Sequence, residues 1–271
     1  VGTALGFVAS ALLVTTVILP AARRLRDRQQ SFAARALRGI RIYLATPRLR
    51  GLMAVNVAVA ASGSLVIVNT VVFVQSRLGL TETDTALALA AFGGGSMLAA
   101  LLLPNLLEKV SDRTGMLAGA AVLTAGALAA AAIQAYAVLL LVWFVLGLGF
   151  SLAQTPTGRL LRRSSHEEDR PSLFSAQFAL SHAAWLFAYP LAGWAGVAIG
   201  MNGISLLLGL IALAATLIAI RIWPVADPVY IEHSHDDLDA AHTHWHEGEN
   251  TGGKRHSHVF VVDDLHPTWP Y

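Results

Sequence analysis

Cysteine is absent from all 271 residues. Disulfides, thiolate nucleophiles and Cys-based zinc or iron–sulfur sites are therefore excluded, and any metal chemistry must rely on His, Asp and Glu. Charge is scarce as well, at 13% of residues against 55% hydrophobic, where a soluble domain carries about a quarter charged. No P-loop, nucleophile elbow, paired intramembrane carboxylate or dinucleotide fingerprint occurs, so the chain is not read as an enzyme. The net charge of +2 and the lack of any nucleic-acid motif argue against a nucleic-acid partner.

What is present is hydrophobic run after hydrophobic run. A helix needs about 20 apolar residues to cross the bilayer. Seven stretches qualify: 1–20, 51–75, 85–107, 116–134, 138–158, 172–195 and 203–223. None has Asp, Glu, Lys or Arg at its centre, where a charge would cost about 2.5 to 3.5 kcal/mol. The expected fold is all-α and polytopic, with a lipid bilayer as its surroundings. Val1 opens an already apolar run without a basic leader, and the chain reads as a fragment cut inside or just before a span.

Nine Lys or Arg fall in residues 21–50, two in 108–115, four in 159–171 and one at Arg221, whereas the alternate connections hold only Arg77. This bias puts the basic connections, and the tail after the last span, in the cytoplasm. The segment 21–50 is also amphipathic, with Phe32, Leu37, Ile40 and Leu44 between arginines, and suits a helix lying along the headgroups.

Within the spans, polar residues mark candidate chemistry. At 100° per residue, Phe174, Phe178, Ser181, His182, Trp185 and Tyr189 share one arc, opposite Ala176, Ala179 and Ala183. Such a polar and aromatic stripe suits a cavity wall for an organic or cationic substrate. His182 is the single histidine inside a span, so it is either a proton or substrate group or a neutral imidazole bonded to a neighbouring helix. Asn56, Asn69, Gln154 and Gln177 are further candidates, each equally suited to joining helices. Gly93, Gly94, Gly95, Gly147 and Gly149 permit close helix approach.

After residue 223 the composition changes. His233, His235, His242, His244, His246, His256 and His258 form three His-x-His clusters with acids nearby. Residues two apart in an extended chain point to the same side, so each cluster can present imidazoles to one divalent ion. Nickel, cobalt, zinc or copper suits such ligands, and no cofactor is otherwise required. The bland alternative is a solvated, mostly disordered tail. Val259–Val262 form a strand-like run before Asp263, Asp264 and His266, an ending that can fold back on the spans.

One span, a long basic loop and six spans with short connections resembles the second half of a major facilitator superfamily transporter, entered at its sixth helix. "FGGGSMLAALLLPNLLEKVSDRTG", residues 92–115, is similar to that family's eighth helix and the loop after it. Asp112 and Arg113 match the family's acidic–basic pair, though the full glycine-and-arginine signature is missing. The resemblance implies a division into a helix ending the first half (1–20), an inter-half loop (21–50), a six-helix bundle (51–223) and a His-rich tail (224–271).

It further implies alternating access against an absent N-terminal half, with substrate held between the halves near the midplane and Asp112 and Arg113 in a gating loop. Proton-coupled efflux of a small molecule across a bacterial inner membrane is the expectation. The tail resembles that of bacterial nickel- and cobalt-resistance exporters, so a divalent cation is the alternative cargo. A metal-sensing membrane protein that transports nothing is the third reading.

Overall fold

The computed structural model describes residues 2–17, 31–235, 238, 243–246, 249–252 and 255–270. They fall into two compact units, Val1–Phe32 and Ala33–Tyr271. The first carries α1 (Gly2–Thr15), an apolar helix about 21 Å long at 1.5 Å per residue. That is shorter than the span expected over 1–20. Residues 21–30 of the basic loop lie outside the described residues.

The second unit is a helical bundle: α2 (Phe32–Ala45), α3 (Pro47–Val71), α4 (Glu82–Leu107), α5 (Asp112–Ala130), α6 (Tyr136–Gln154), α7 (Thr157–Arg163) and α8 (Arg170–Ile222). Five helical stretches among the described residues are long and apolar enough to cross a membrane. The last, α8, has 53 residues, about 80 Å if straight, more than twice the hydrocarbon thickness. It breaks at Gly200, whose φ of 71° and ψ of 175° belong to a region essentially reserved for glycine. The chain reverses there, and α8 supplies both of the spans expected at 172–195 and 203–223, giving six in this unit.

Contacts along α8 show the reversal. Trp185 packs over Gly63 and Asn69 bonds to Ala192, so the first arm follows α3, while Trp223 packs against Gly51 at the start of that helix. The second arm runs antiparallel to α5: Leu128 packs on Gly209, Thr124 meets Thr216 at 3.1 Å, and Arg113 donates to the Trp223 carbonyl at 3.0 Å.

Small residues set the tightest crossings. A Cβ on Gly95 would fall on the Phe144 carbonyl, and one on Gly147 on that of Phe92, so α4 and α6 approach backbone to backbone. Gly149 faces Gly119 of α5, whereas Gly93 has nothing within 4 Å of where its Cβ would be. At the centre, Trp143 Nε1 donates to Thr70 Oγ1 at 2.7 Å, and its ring meets Phe73 edge to face.

Helix α2 packs differently from a helix simply laid on headgroups. Gly39 abuts the Ser172 carbonyl of α8, and Ile42 and Tyr43 are buried, while Leu37 and Leu44 are exposed. Its buried face is thus Gly39, Ile42, Tyr43 and Thr46, one residue off the stripe read from hydrophobicity, because glycine admits the neighbouring backbone.

The described residues of the tail carry a small sheet. Strands β1 (Tyr230–Ser234), β2 (Glu249–Gly252) and β3 (Arg255–Val259) form a sheet in the order β1-β3-β2, β3 antiparallel to both. Beyond β3, Val262 and Trp269 join an apolar cluster with Ile42, Tyr43, Leu49 and Trp223. The sheet is thereby anchored to the bundle end where α3 and α5 begin.

Candidate metal centre

The register of the small sheet creates the centre. His233 of β1 stands opposite His256 of β3, and Ile231 opposite His258. His256 and His258 are two apart and share a face, as the His-x-His spacing anticipates. His235 follows directly after β1, and a short 3-10 turn, Thr243–His246, delivers His244.

The sixth imidazole, His266, comes from beyond β3 and was not among the sequence candidates as a ligand. His242 lies outside the described residues, and His246 is placed only by its backbone in the turn.

Two overlapping quartets of imidazoles result: His233, His235, His244 and His256, and His233, His244, His258 and His266, with ligand atoms all within 4.8 Å of one another. His233 Nε2 lies 3.0 Å from His266 Nε2 and 3.1 Å from His256 Nε2, and His266 Nε2 lies 3.2 Å from His235 Nε2. Nitrogens about 2.0 to 2.1 Å from one metal are about 3.3 Å apart in a tetrahedron and about 3.0 Å apart at right angles. These three spacings fall in that interval, and the remaining ones within each quartet stay inside 4.8 Å.

His235, His244, His256, His258 and His266 are buried, and His256 Nδ1 has no hydrogen-bond partner. Burial, helped by the surrounding imidazoles, pushes His233 and His256 down to about 4, so both are neutral and competent to ligate at neutral pH. An all-imidazole set suits nickel, cobalt, zinc and copper(II) and disfavours calcium or magnesium.

Beside the centre, Asp263 Oδ1 accepts from His266 Nδ1 at 2.9 Å, and Oδ2 lies 3.2 Å from His166 Nε2. Burial alone would raise this carboxyl, but the bonds from His166, His266 and the His266 amide outweigh it and hold it well below the usual carboxylate range. Asp264 accepts from Arg38 at 2.8 Å, and Arg38 also donates to Asp169 at 2.5 Å. Arg48, fully buried, donates to Ser164, Asp227 and the Phe260 carbonyl, and its guanidinium lies 4.9 Å over Trp269. A buried cation is tolerated only when paired in this way. The α2 and α3 arginines thus meet the tail at one end of the bundle.

The other sequence candidates are scattered. Gln177 is buried and accepts from the Tyr43 hydroxyl at 2.5 Å, so it joins α2 to α8. Asn69 donates to the Ala192 carbonyl at 3.2 Å and likewise joins helices. The Asn56 amide is buried beside the Tyr43 hydroxyl, and Gln154 closes α6 half-buried.

Asp112 and Arg113 part company: Asp112 accepts from Arg159 at 2.8 Å, while Arg113 caps the end of α8 through the Ile220 and Trp223 carbonyls. The stripe on α8 is exposed at His182 and Tyr189 and half-buried at Trp185. His182 stacks on Phe178 with centroids 3.8 Å apart and donates from Nδ1 to the Phe178 carbonyl at 2.8 Å. Trp185 and Tyr189 continue the stripe, 5.0 Å apart.

A comparison with curated proteins found no match. The model of the Major Facilitator Superfamily matches residues 52–247, from the start of α3 into the tail. The chain belongs to the Major Facilitator Superfamily, a family of membrane transporters.

Proposed function

We propose that the chain is the second half of a secondary transporter that exports a divalent transition-metal cation, with nickel and cobalt as the first candidates, by alternating access coupled to protons. The observation that carries this reading is the gathering of six imidazoles into one buried cluster at an end of a major facilitator bundle. The cluster lies outside the spans, so its role is to concentrate cargo at the mouth. The path itself runs along the bundle against the other half.

The basic connections and the docked tail share one bundle end, which supports a cytoplasmic tail by the positive-inside rule, in a bacterial inner membrane. The exposed apolar residues Leu186, Phe187, Trp194 and Val197 on the first arm of α8 are a surface for lipid or for the other half.

A second reading, proton-coupled efflux of a small organic molecule, is favoured by the stripe of exposed Phe178, His182 and Tyr189 with half-buried Trp185. Counterflow in vesicles carrying the complete transporter tests the choice. Exchange of labelled nickel or cobalt supports metal export. Metal binding without exchange of any substrate would point instead to a sensor that transports nothing.

A further inference from the structure

We propose that His266 is a ligand of the metal centre, that Asp263 is its positioning residue, and that loading the centre with a divalent transition metal fastens the tail to α2 and to the start of α8. The proposal rests on the metal reading above and adds to it a positioning group and a coupling.

Asp263 is bound on every side. Its Oδ1 accepts from the Leu265 amide at 2.8 Å, the His266 amide at 2.7 Å and His266 Nδ1 at 2.9 Å. With Nδ1 carrying the proton, Nε2 is the lone-pair nitrogen. It is this atom that lies 3.0 Å from His233 Nε2 and 3.2 Å from His235 Nε2. A carboxylate behind an imidazole fixes its tautomer and raises its basicity toward a metal, and loss of such a partner costs roughly tenfold to a hundredfold in affinity.

The same two-residue segment holds the bundle. Asp263 Oδ2 reaches His166, in the connection before α8, and Asp264 reaches Arg38 of α2. Arg38 in turn grips Asp169, the residue preceding α8, with two bonds. A metal bound through His266 holds Asp263 and Asp264 where they meet His166 and Arg38, so it binds the docked tail more tightly than a released one. By linkage, docking must then tighten metal binding by the same factor. Because α2 is packed on α8 through Gly39 and Tyr43, metal loading stiffens the contact between these two helices.

The test uses the whole chain in lipid nanodiscs, with zinc and cobalt(II) as probes, and reads affinity by chelator competition and hydrogen exchange with and without zinc. In the native chain, zinc should slow exchange in residues 32–45 and at the start of α8. Asp263→Ala should lower affinity about tenfold to a hundredfold, with Asp263→Asn intermediate because it keeps the acceptor and loses the charge. Arg38→Ala, remote from the imidazoles, should weaken binding about fivefold through linkage and abolish the exchange effect on α2. Native affinity in Asp263→Ala and Arg38→Ala, or unchanged exchange in α2, overturns the coupling while leaving the centre standing. Failure of the native chain to bind either ion overturns both this inference and the metal reading.

Discussion

His233 and His256 face each other across the β1–β3 pair with Nε2 atoms 3.1 Å apart, and His233 belongs to both imidazole quartets. The quartets share His233 and His244, so single substitutions should be unequal. His233→Ala removes a ligand from either arrangement and should weaken cobalt binding beyond the roughly tenfold to hundredfold typical of an outer-sphere loss. His235→Ala and His258→Ala each leave one quartet intact and should cost less. Cobalt titrations followed by visible absorption check the order, and equal losses at all three positions would contradict the overlap.

The buried imidazoles make the tail acid-sensitive. His233 and His256 are held at about 4 in the folded tail, below the ordinary value near 6.5. As pH falls below about 6.5 the undocked tail takes up protons first. The stability these residues contribute is therefore complete above that pH and is lost as pH falls toward 4. Protection of the β1 and β3 amides in metal-stripped protein, corrected for the intrinsic pH dependence of exchange, should fall across this window, and zinc should move the transition to lower pH. Corrected protection that stays flat from pH 7 to 4 would show that the imidazoles are solvated.

Helix crossings give predictions about stability. Gly95→Leu and Gly147→Leu would drive a side chain into the facing backbone and should cost about 1 to 3 kcal/mol or more. Gly93→Leu, with open space around it, should be tolerated. Thermal unfolding in detergent distinguishes them. Equal Tm shifts at Gly93 and Gly95 would mean that α4 presents another face to α6.

Gly200→Val places a β-branched residue at φ 71° and should destabilise the α8 reversal by about 1 to 3 kcal/mol. The checking measurement is again Tm, with Gly203→Ala as a comparison within the helix. A Gly200→Val chain as stable as the native one would mean that α8 turns elsewhere.

Much of this architecture was legible in the sequence because lipid imposes it. The runs 51–75 and 85–107 became α3 and α4 with small shifts of their ends, and the gap between the runs 172–195 and 203–223 already separated the two arms of α8. The alternation of His256 and His258 also carried through, since a strand has period two. His266 escaped as a ligand because it stands without a His-x-His neighbour. Its role depends on an Asp263 turn and on tertiary folding back. Gln177 stood as a candidate for the path or for joining helices, and it bonds to Tyr43 of α2. The packing of α2 on α8 that brings Tyr43 there is a long-range contact that no local periodicity encodes.

The most direct measurement of the central claim is labelled nickel flux into everted vesicles bearing the complete transporter. Native protein, His182→Ala and a deletion of residues 233–258 are compared under an imposed proton gradient. Native protein should show saturable, gradient-dependent flux. Deleting the imidazole-bearing stretch should raise the concentration for half-maximal flux and leave the maximum largely intact, while His182→Ala should lower the maximum. Absence of flux for nickel and cobalt alike, or abolition by the deletion with no effect of His182→Ala, would contradict it.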